Sequence, residues 1–343
     1  MRLHLTAVSG LAILASLGPA RAEGVLNIFN WGDYTNPELI RKFEETYDVK
    51  VTVTDFDSNE TALAKARQGG NDFDIVVPTS TSMPIWIAEG LLLETRPDQM
   101  ENFKNIDPRW VDVPFDPGRL YSVPWQWGTT GVTVNTEVYG GDPNTSAIFF
   151  DPPEELVGKV NIVPEMSDVI YLAIKYFGGE SCTDDLDLLR KVRDKLVEAR
   201  PKWVSMDYTN IDRFTANDYA AAMNWSGGSL RIRLADPRFV YGYPKEGYPI
   251  WMDNVAVLKS APNVENAKLF QNFIMDPENA ALISAYARYA NGILGSEAFM
   301  SEDMRTAPEI VIPEEFVGMG EFTQACSPEV TELYTKIWTD LLK

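Results

Sequence analysis

Val25-Leu26-Asn27-Ile28-Phe29, followed directly by Asn30-Trp31-Gly32-Asp33-Tyr34, opens the first strand, turn and helix of the chain. The apolar run reads as a strand and Gly32 opens a turn. Asn36-Pro37-Glu38 then carries the marks of a helix start: asparagine as N-cap, proline at the first helical position and an acid in the first turn. Leu39, Ile40, Phe43 and Tyr47 recur at helical spacing, and residues 49–53 alternate as a strand. Ser58 caps a short helix through Arg67, ended by Gly69-Gly70, and residues 73–77 form an unbroken apolar strand stopped by Pro78. This β-α-β-α-β order predicts a parallel sheet with helices on both faces, so the fold class is α/β.

Ligands of such sheets gather at the carboxyl ends of the strands. Two stretches fall there. Trp31, Asp33 and Tyr34 offer two π-faces and one carboxylate, a wall suited to an organic cation, which gains roughly 0.5–2 kcal/mol over an aromatic face. Thr79 and Thr81, within Thr79-Ser80-Thr81-Ser82, offer hydroxyls and the amides of a helix start.

Composition narrows the chemistry. Residues 1–22, with Arg2, an apolar run at 11–17 and Ala20-Arg21-Ala22, read as a secretory signal peptide. Of 343 residues, removing those 22 leaves 321, enough for two lobes, and takes the formal charge from −20 to −22. The single histidine, His4, leaves with them. Without histidine there is no Ser-His or Cys-His nucleophile pair and no His-ligated zinc, while carboxylate-only chemistry and Ser-Lys pairs remain possible. Neither a metal nor a cofactor is expected. The acidic balance argues against nucleic acid. No other apolar run approaches the ~20 residues of a membrane helix. Cys182 and Cys326 are the only cysteines, and whether they pair is open at this stage.

Further along, residues 121–128 read as a strand ending in Trp125-Gln126-Trp127-Gly128, and 131–135 resume the alternation, which suggests a crossing between lobes. A second unit follows, with a strand at 160–163 and helices at 169–177 and 184–199. Glu165 and Asp168 are three apart at a helix start, so both can point into one cleft, or simply serve the helix dipole. Strands then stop at Trp225 and Trp251, the latter followed by Met252-Asp253. Helices are expected at 264–275, 277–288 and 329–342, with Tyr289 just beyond the second of these.

Together Asn30-Trp31-x-Asp33-Tyr34, Ser58-Asn59-Glu60, Asp74-Ile75-Val76-Val77-Pro78, Tyr121-Ser122-Val123-Pro124 with Trp127-Gly128, Pro244-Lys245-Glu246-Gly247 and Trp251-Met252-Asp253 resemble the periplasmic spermidine/putrescine-binding proteins of polyamine ABC transporters. The resemblance implies a two-lobe periplasmic binding protein fold, a Venus flytrap with crossing hinge strands. Lobe 1 would comprise 25–130 and 253–295, lobe 2 131–252 and 296–343. It implies a periplasmic, monomeric, non-enzymatic protein that takes a polyamine and passes it to membrane permease subunits.

Carried over by position, Trp31, Asp33, Tyr34, Thr79, Thr81, Glu165, Asp168, Trp225, Trp251, Asp253 and Tyr289 would bind the ligand. Gly228 stands where putrescine-type relatives have an aspartate. Residues 312–327 do not align, and Gln324 is the nearest guess for a glutamine that some relatives contribute. The residues alone also leave open the same fold with another solute: an amino acid, a sugar, or ferric ion on tyrosines such as Tyr286 and Tyr289. An exported hydrolase using Glu165 and Asp168 is the remaining alternative.

Overall fold

The structure, a computed structural model, describes residues 24–208 and 211–343, so the 1–22 leader lies outside the described residues. The first unit is β1 (Gly24–Trp31), α1 (Pro37–Tyr47), β2 (Val49–Phe56), α2 (Asn59–Gln68), β3 (Ile75–Val76) and α3 (Met83–Ala88). Its caps are the expected ones: the Asn36 side chain accepts from Glu38 N and Ser58 from Thr61 N. Both β2 and β3 pair parallel to β1. β3 is shorter than the 73–77 run because Pro78 has no N–H to continue the ladder and Asp74 is engaged elsewhere, its carboxylate accepting from Asn27 N and Asn263 N.

A small ribbon, β4 (Asp112–Val113) and β5 (Asp116–Pro117), precedes the long strand β6 (Ser122–Asn135). The second unit brings α4 (Ala147–Phe150), β7 (Val160–Ile162), α5 (Met166–Tyr176), α6 (Leu186–Ala199), β8 (Trp203–Met206), α7 (Ile211–Thr215), β9 (Ala221–Trp225), α8 (Ser226–Ala235) and β10 (Phe239–Gly242). The chain then returns through β11 (Tyr248–Val257), α9 (Val264–Ile274), α10 (Pro277–Ala287), α11 (Glu302–Thr306), β12 (Gly320–Phe322) and α12 (Pro328–Leu341).

The strands run in the order β2-β1-β3-β11-β6-β9-β7-β8, with β10 also on β6 and β12 on β11. β6 is one strand through Gly128 rather than two separated by a glycine. Up to Thr129 it pairs with β11, and from Thr130 it pairs with β9. These pairings, like that of β3 with β11, are antiparallel, so the sheet is mixed where the first unit alone predicts parallel. Returning strands run opposite to the ones that a helix carries forward.

Two large cores flank this crossing. One gathers Leu26, Phe43, Trp86, Trp125, Val255 and Phe270; the other gathers Val132, Ile162, Leu172, Leu196, Met223 and Ile337. Cys182, between α5 and α6, is disulfide-bonded to Cys326, just before α12, which holds the C-terminal helix against the second core.

β11 carries a register shift between Asp253 and Asn254. Arg119, fully buried, sits under that bulge: Nη1 donates to Asn254 Oδ1 at 2.6 Å, Nη2 to Met252 Sδ at 2.9 Å and Nε to the Trp110 carbonyl at 2.7 Å. Asn254 N in turn donates to the Pro78 carbonyl at 3.0 Å. Bulges re-aim side chains, and this one stands at Asp253.

Candidate functional site

Asp253 is 4 % exposed, accepts a 2.7 Å hydrogen bond from the Tyr34 hydroxyl, and is bridged to Thr79 through the backbone. Thr79 and Thr81 share a hydrogen bond between their hydroxyls at 2.9 Å. Tyr289 packs edge-on against Tyr34 at 5.8 Å and against Trp251 at 5.1 Å between ring centroids. Trp251 lies flat on β6 because residue 128 is glycine: a Cβ there would meet its ring at 2.7 Å and the Ser226 hydroxyl at 2.9 Å. Tyr34, Trp251 and Tyr289 thus make an aromatic box around one buried carboxylate.

A second acidic group faces it from α5. The helix begins at Met166, three residues earlier than expected, which puts Asp168 in its first turn and Glu165 at the N-cap with no side-chain cap bond. Asp168, 6 % exposed, accepts from Trp225 Nε1 at 3.0 Å and from the Thr130 hydroxyl at 2.8 Å, all on one oxygen. Glu165 accepts from the Tyr208 hydroxyl at 2.9 Å, and Tyr208 tilts against Trp225 at 6.1 Å. Tyr208 also reaches the Asp57 carbonyl, at the end of β2, at 3.5 Å, so it spans the two units.

Electrostatics joins the two groups. Burial pushes Asp253 up to about 7, against the pull of the Tyr34 hydrogen bond. Glu165 is pushed up to about 8 by burial, then by the Asp168 charge, with Glu60 and Asp253 adding to it and Tyr208 opposing. Asp168 is raised by burial and pulled back by its Trp225 and Thr130 donors. None of the three is in an ion pair among the described residues. Desolvated carboxylates without a counter-charge are costly, and a cation brought between them would offset that cost.

Two expected residues stand apart. Asp33 has a left-handed backbone (φ 52°), is exposed, and lines a surface depression of about 350 Å³ with Tyr34, Arg41, Asp55 and Tyr286. Trp31 donates its Nε1 to the Val77 carbonyl at 2.9 Å and leans on Phe56 at 4.6 Å, at the edge of the group. Gly228 packs against Asn224, which a Cβ would approach at 2.9 Å, so an aspartate at this position would need Asn224 to move. The Gln324 carbonyl lies 3.9 Å from the disulfide-bonded sulfur of Cys182, in the disulfide loop. Tyr208, Thr130 and Arg231, the last beside Tyr289, escape the sequence reading. For Thr130 the available signal was its place after Trp127-Gly128 on a crossing strand; for Tyr208 there was none.

The model of the bacterial extracellular solute-binding protein family matches residues 38–311. The chain belongs to that family. This solute-binding protein is 26 % identical over 322 residues to the spermidine/putrescine-binding periplasmic protein of Salmonella typhimurium, covering 93 % of this chain and 92 % of that one. To the putrescine/agmatine-binding protein of Pseudomonas aeruginosa it is 24 % identical over 353 residues, covering 96 % of each. Among solved structures, a putative spermidine/putrescine ABC transporter protein from Listeria monocytogenes superposes with a TM-score of 0.86 at 29 % identity, over 93 % of this chain and 98 % of that one. The substrate-binding protein PotD of Streptococcus pneumoniae gives 0.82 at 26 % identity, over 93 % and 99 %. The fold is therefore the two-lobe periplasmic binding protein fold, and the relatives are binding proteins of transporters. Among the described residues no helix is long and apolar enough to cross a membrane.

Proposed function

We propose that this chain is a periplasmic, monomeric binding protein, not an enzyme, that captures a polyamine of the putrescine or spermidine type between two lobes and delivers it to ABC transporter permease subunits. The observation that carries the reading is that Glu165, Asp168 and Asp253, none ion-paired among the described residues, lie close enough for Glu165 to feel the other two, beside the rings of Tyr34, Trp225, Trp251 and Tyr289. Methylenes lie on the rings while ammonium groups meet carboxylates from β11 and from α5. Because the acids come from both sides of the β6 crossing, only the closed arrangement satisfies both ends of one ligand, and that difference in affinity drives closure. Thr79 and Thr81 border Asp253, and Trp31 and Asp33 stand at the edge of the site.

Thermal melts with putrescine, cadaverine, spermidine, spermine, agmatine and neutral amino acids test this. An amine at 100 times its Kd stabilises by about 2.7 kcal/mol, so at least one amine should raise the melting temperature where neutral amino acids do not. No shift with any amine overturns the reading.

A further inference from the structure

The polar atoms around Tyr289 do not suit a ligand made of ammonium groups alone. Asp253 Oδ1 is buried and has no hydrogen-bond partner among the described residues, and a protonated amine satisfies it. Two donors share that condition: Trp251 Nε1 and Arg231 Nε are also buried without a partner. A protonated amine has no lone pair to give them. A polyamine would leave both donors unpaired, in an interior where unpaired donors are costly.

Arg231 belongs to this corner. It lies one helical turn beyond Gly227 on α8, and a Cβ on Gly227 would meet the Tyr289 ring at 2.7 Å, so positions 227 and 231 share the face toward that ring. Among the groups that shift Tyr34, Tyr289 and the three site carboxylates, Arg231 is the one cation, and it acts on the two tyrosines rather than on the acids. Arg231 also hydrogen-bonds Tyr289, so the corner holds an unpaired carboxylate oxygen at Asp253 beside two unpaired N–H groups, Trp251 Nε1 and the Nε of a guanidinium already held against Tyr289. An ammonium and a carboxylate on adjacent atoms would serve both.

We propose that the occupant is a diamino carboxylic acid: its carboxylate on Trp251 Nε1 and the Arg231 guanidinium, its neighbouring ammonium on Asp253, and its far ammonium on Glu165 and Asp168. This rests on the amine-binding reading above and narrows it. The methylene chain and both amines are those of a diamine; Arg231 selects for the extra carboxylate.

Two matched pairs isolate that group: ornithine against 1,4-diaminobutane, and lysine against 1,5-diaminopentane. Calorimetric titration of the full chain should give, in at least one pair, a Kd at least about tenfold lower for the acid than for its diamine, the size expected of a charge-assisted contact. Arg231→Met should abolish that ratio, the acid losing at least about tenfold more affinity than its diamine; Arg231→Gln serves if the methionine variant does not fold. Diamines binding as tightly as the acids or more so in both pairs overturns the inference and leaves amine binding intact. A preference for the acid that survives loss of Arg231 overturns it as well. If no diamine, diamino acid or spermidine binds the folded wild-type chain, the amine reading itself falls.

Discussion

Trp225 donates its indole N–H to Asp168 across 3.0 Å, which makes this ring a hydrogen-bond partner of the acid as well as a stacking surface. Thr130, its cross-strand partner, donates to the same oxygen. Trp225→Phe separates the two roles, since the ring face stays while the donor goes. Losing one donor to a charged acceptor costs about 1–3 kcal/mol, so amine affinity should fall roughly tenfold or more with little loss of melting temperature. Unchanged affinity by calorimetry would mean that Trp225 acts through its ring alone.

The raised carboxyls make both stability and binding depend on pH. A carboxyl whose pKa is higher in the fold than in the unfolded chain holds its proton more tightly when folded. Its contribution is fully present below the ordinary values of 3.8 and 4.5, and is lost as pH rises through about 7 for Asp253 and about 8 for Glu165. The ligand-free melting temperature should therefore decline from pH 5 to 8.5. A bound polycation needs the ionised acids, so binding should release on the order of one proton near pH 7. Titrations in buffers of different ionisation enthalpy measure that release, and proton uptake would contradict the assignment.

Gly128 is where the strand and the Trp251 ring meet, with a Cβ only 2.7 Å from the ring. Gly128→Ala should displace Trp251 and weaken binding, at about 1–3 kcal/mol of overpacking cost to the fold. Intrinsic fluorescence reports the ring and calorimetry the affinity; a variant with wild-type values in both would show that the ring is not seated against this strand.

The Cys182–Cys326 bridge closes a loop of 144 residues, worth up to about 5 kcal/mol by chain entropy. Replacing both cysteines by serine should lower the melting temperature by several degrees. Neither cysteine contacts the three site carboxylates among the described residues, so ligand affinity should stay within about threefold. A large affinity loss would place the C-terminal helix in the closing motion.

How much of this was legible beforehand follows from the range of the interactions. The first unit could be read because its signals are local: Asn36 and Ser58 cap helices two or three residues away. Thr130 meeting Asp168, 38 positions on, depends on how β6 divides its partners at Thr129. Tyr208 sits just after β8 with no periodic pattern around it, and Arg231 has the look of an ordinary solvated helix residue. Asp33 shows how little sequence proximity fixes side-chain placement. It is two residues from Trp31 and next to Tyr34, yet the left-handed turn leaves it exposed, while Tyr34 reaches a carboxylate 219 positions away.

Asp253→Asn gives the sharpest test, because its two effects should have opposite signs. The carboxylate is buried with one oxygen on Tyr34 and the other unpaired among the described residues, so in the ligand-free protein its charge costs free energy. An amide of the same shape carries no charge to desolvate, and above pH 7 the ligand-free variant should melt higher than wild type. Bound amine loses its counter-ion in the same change, and removing one partner of a buried charge pair weakens binding by about 2 kcal/mol or more. Melting curves with and without 1,4-diaminobutane measure both. A purely structural Asp253 would instead lower stability and leave the ligand-induced shift as it was. A variant that melts lower than wild type yet binds the diamine equally well removes Asp253 from the binding site.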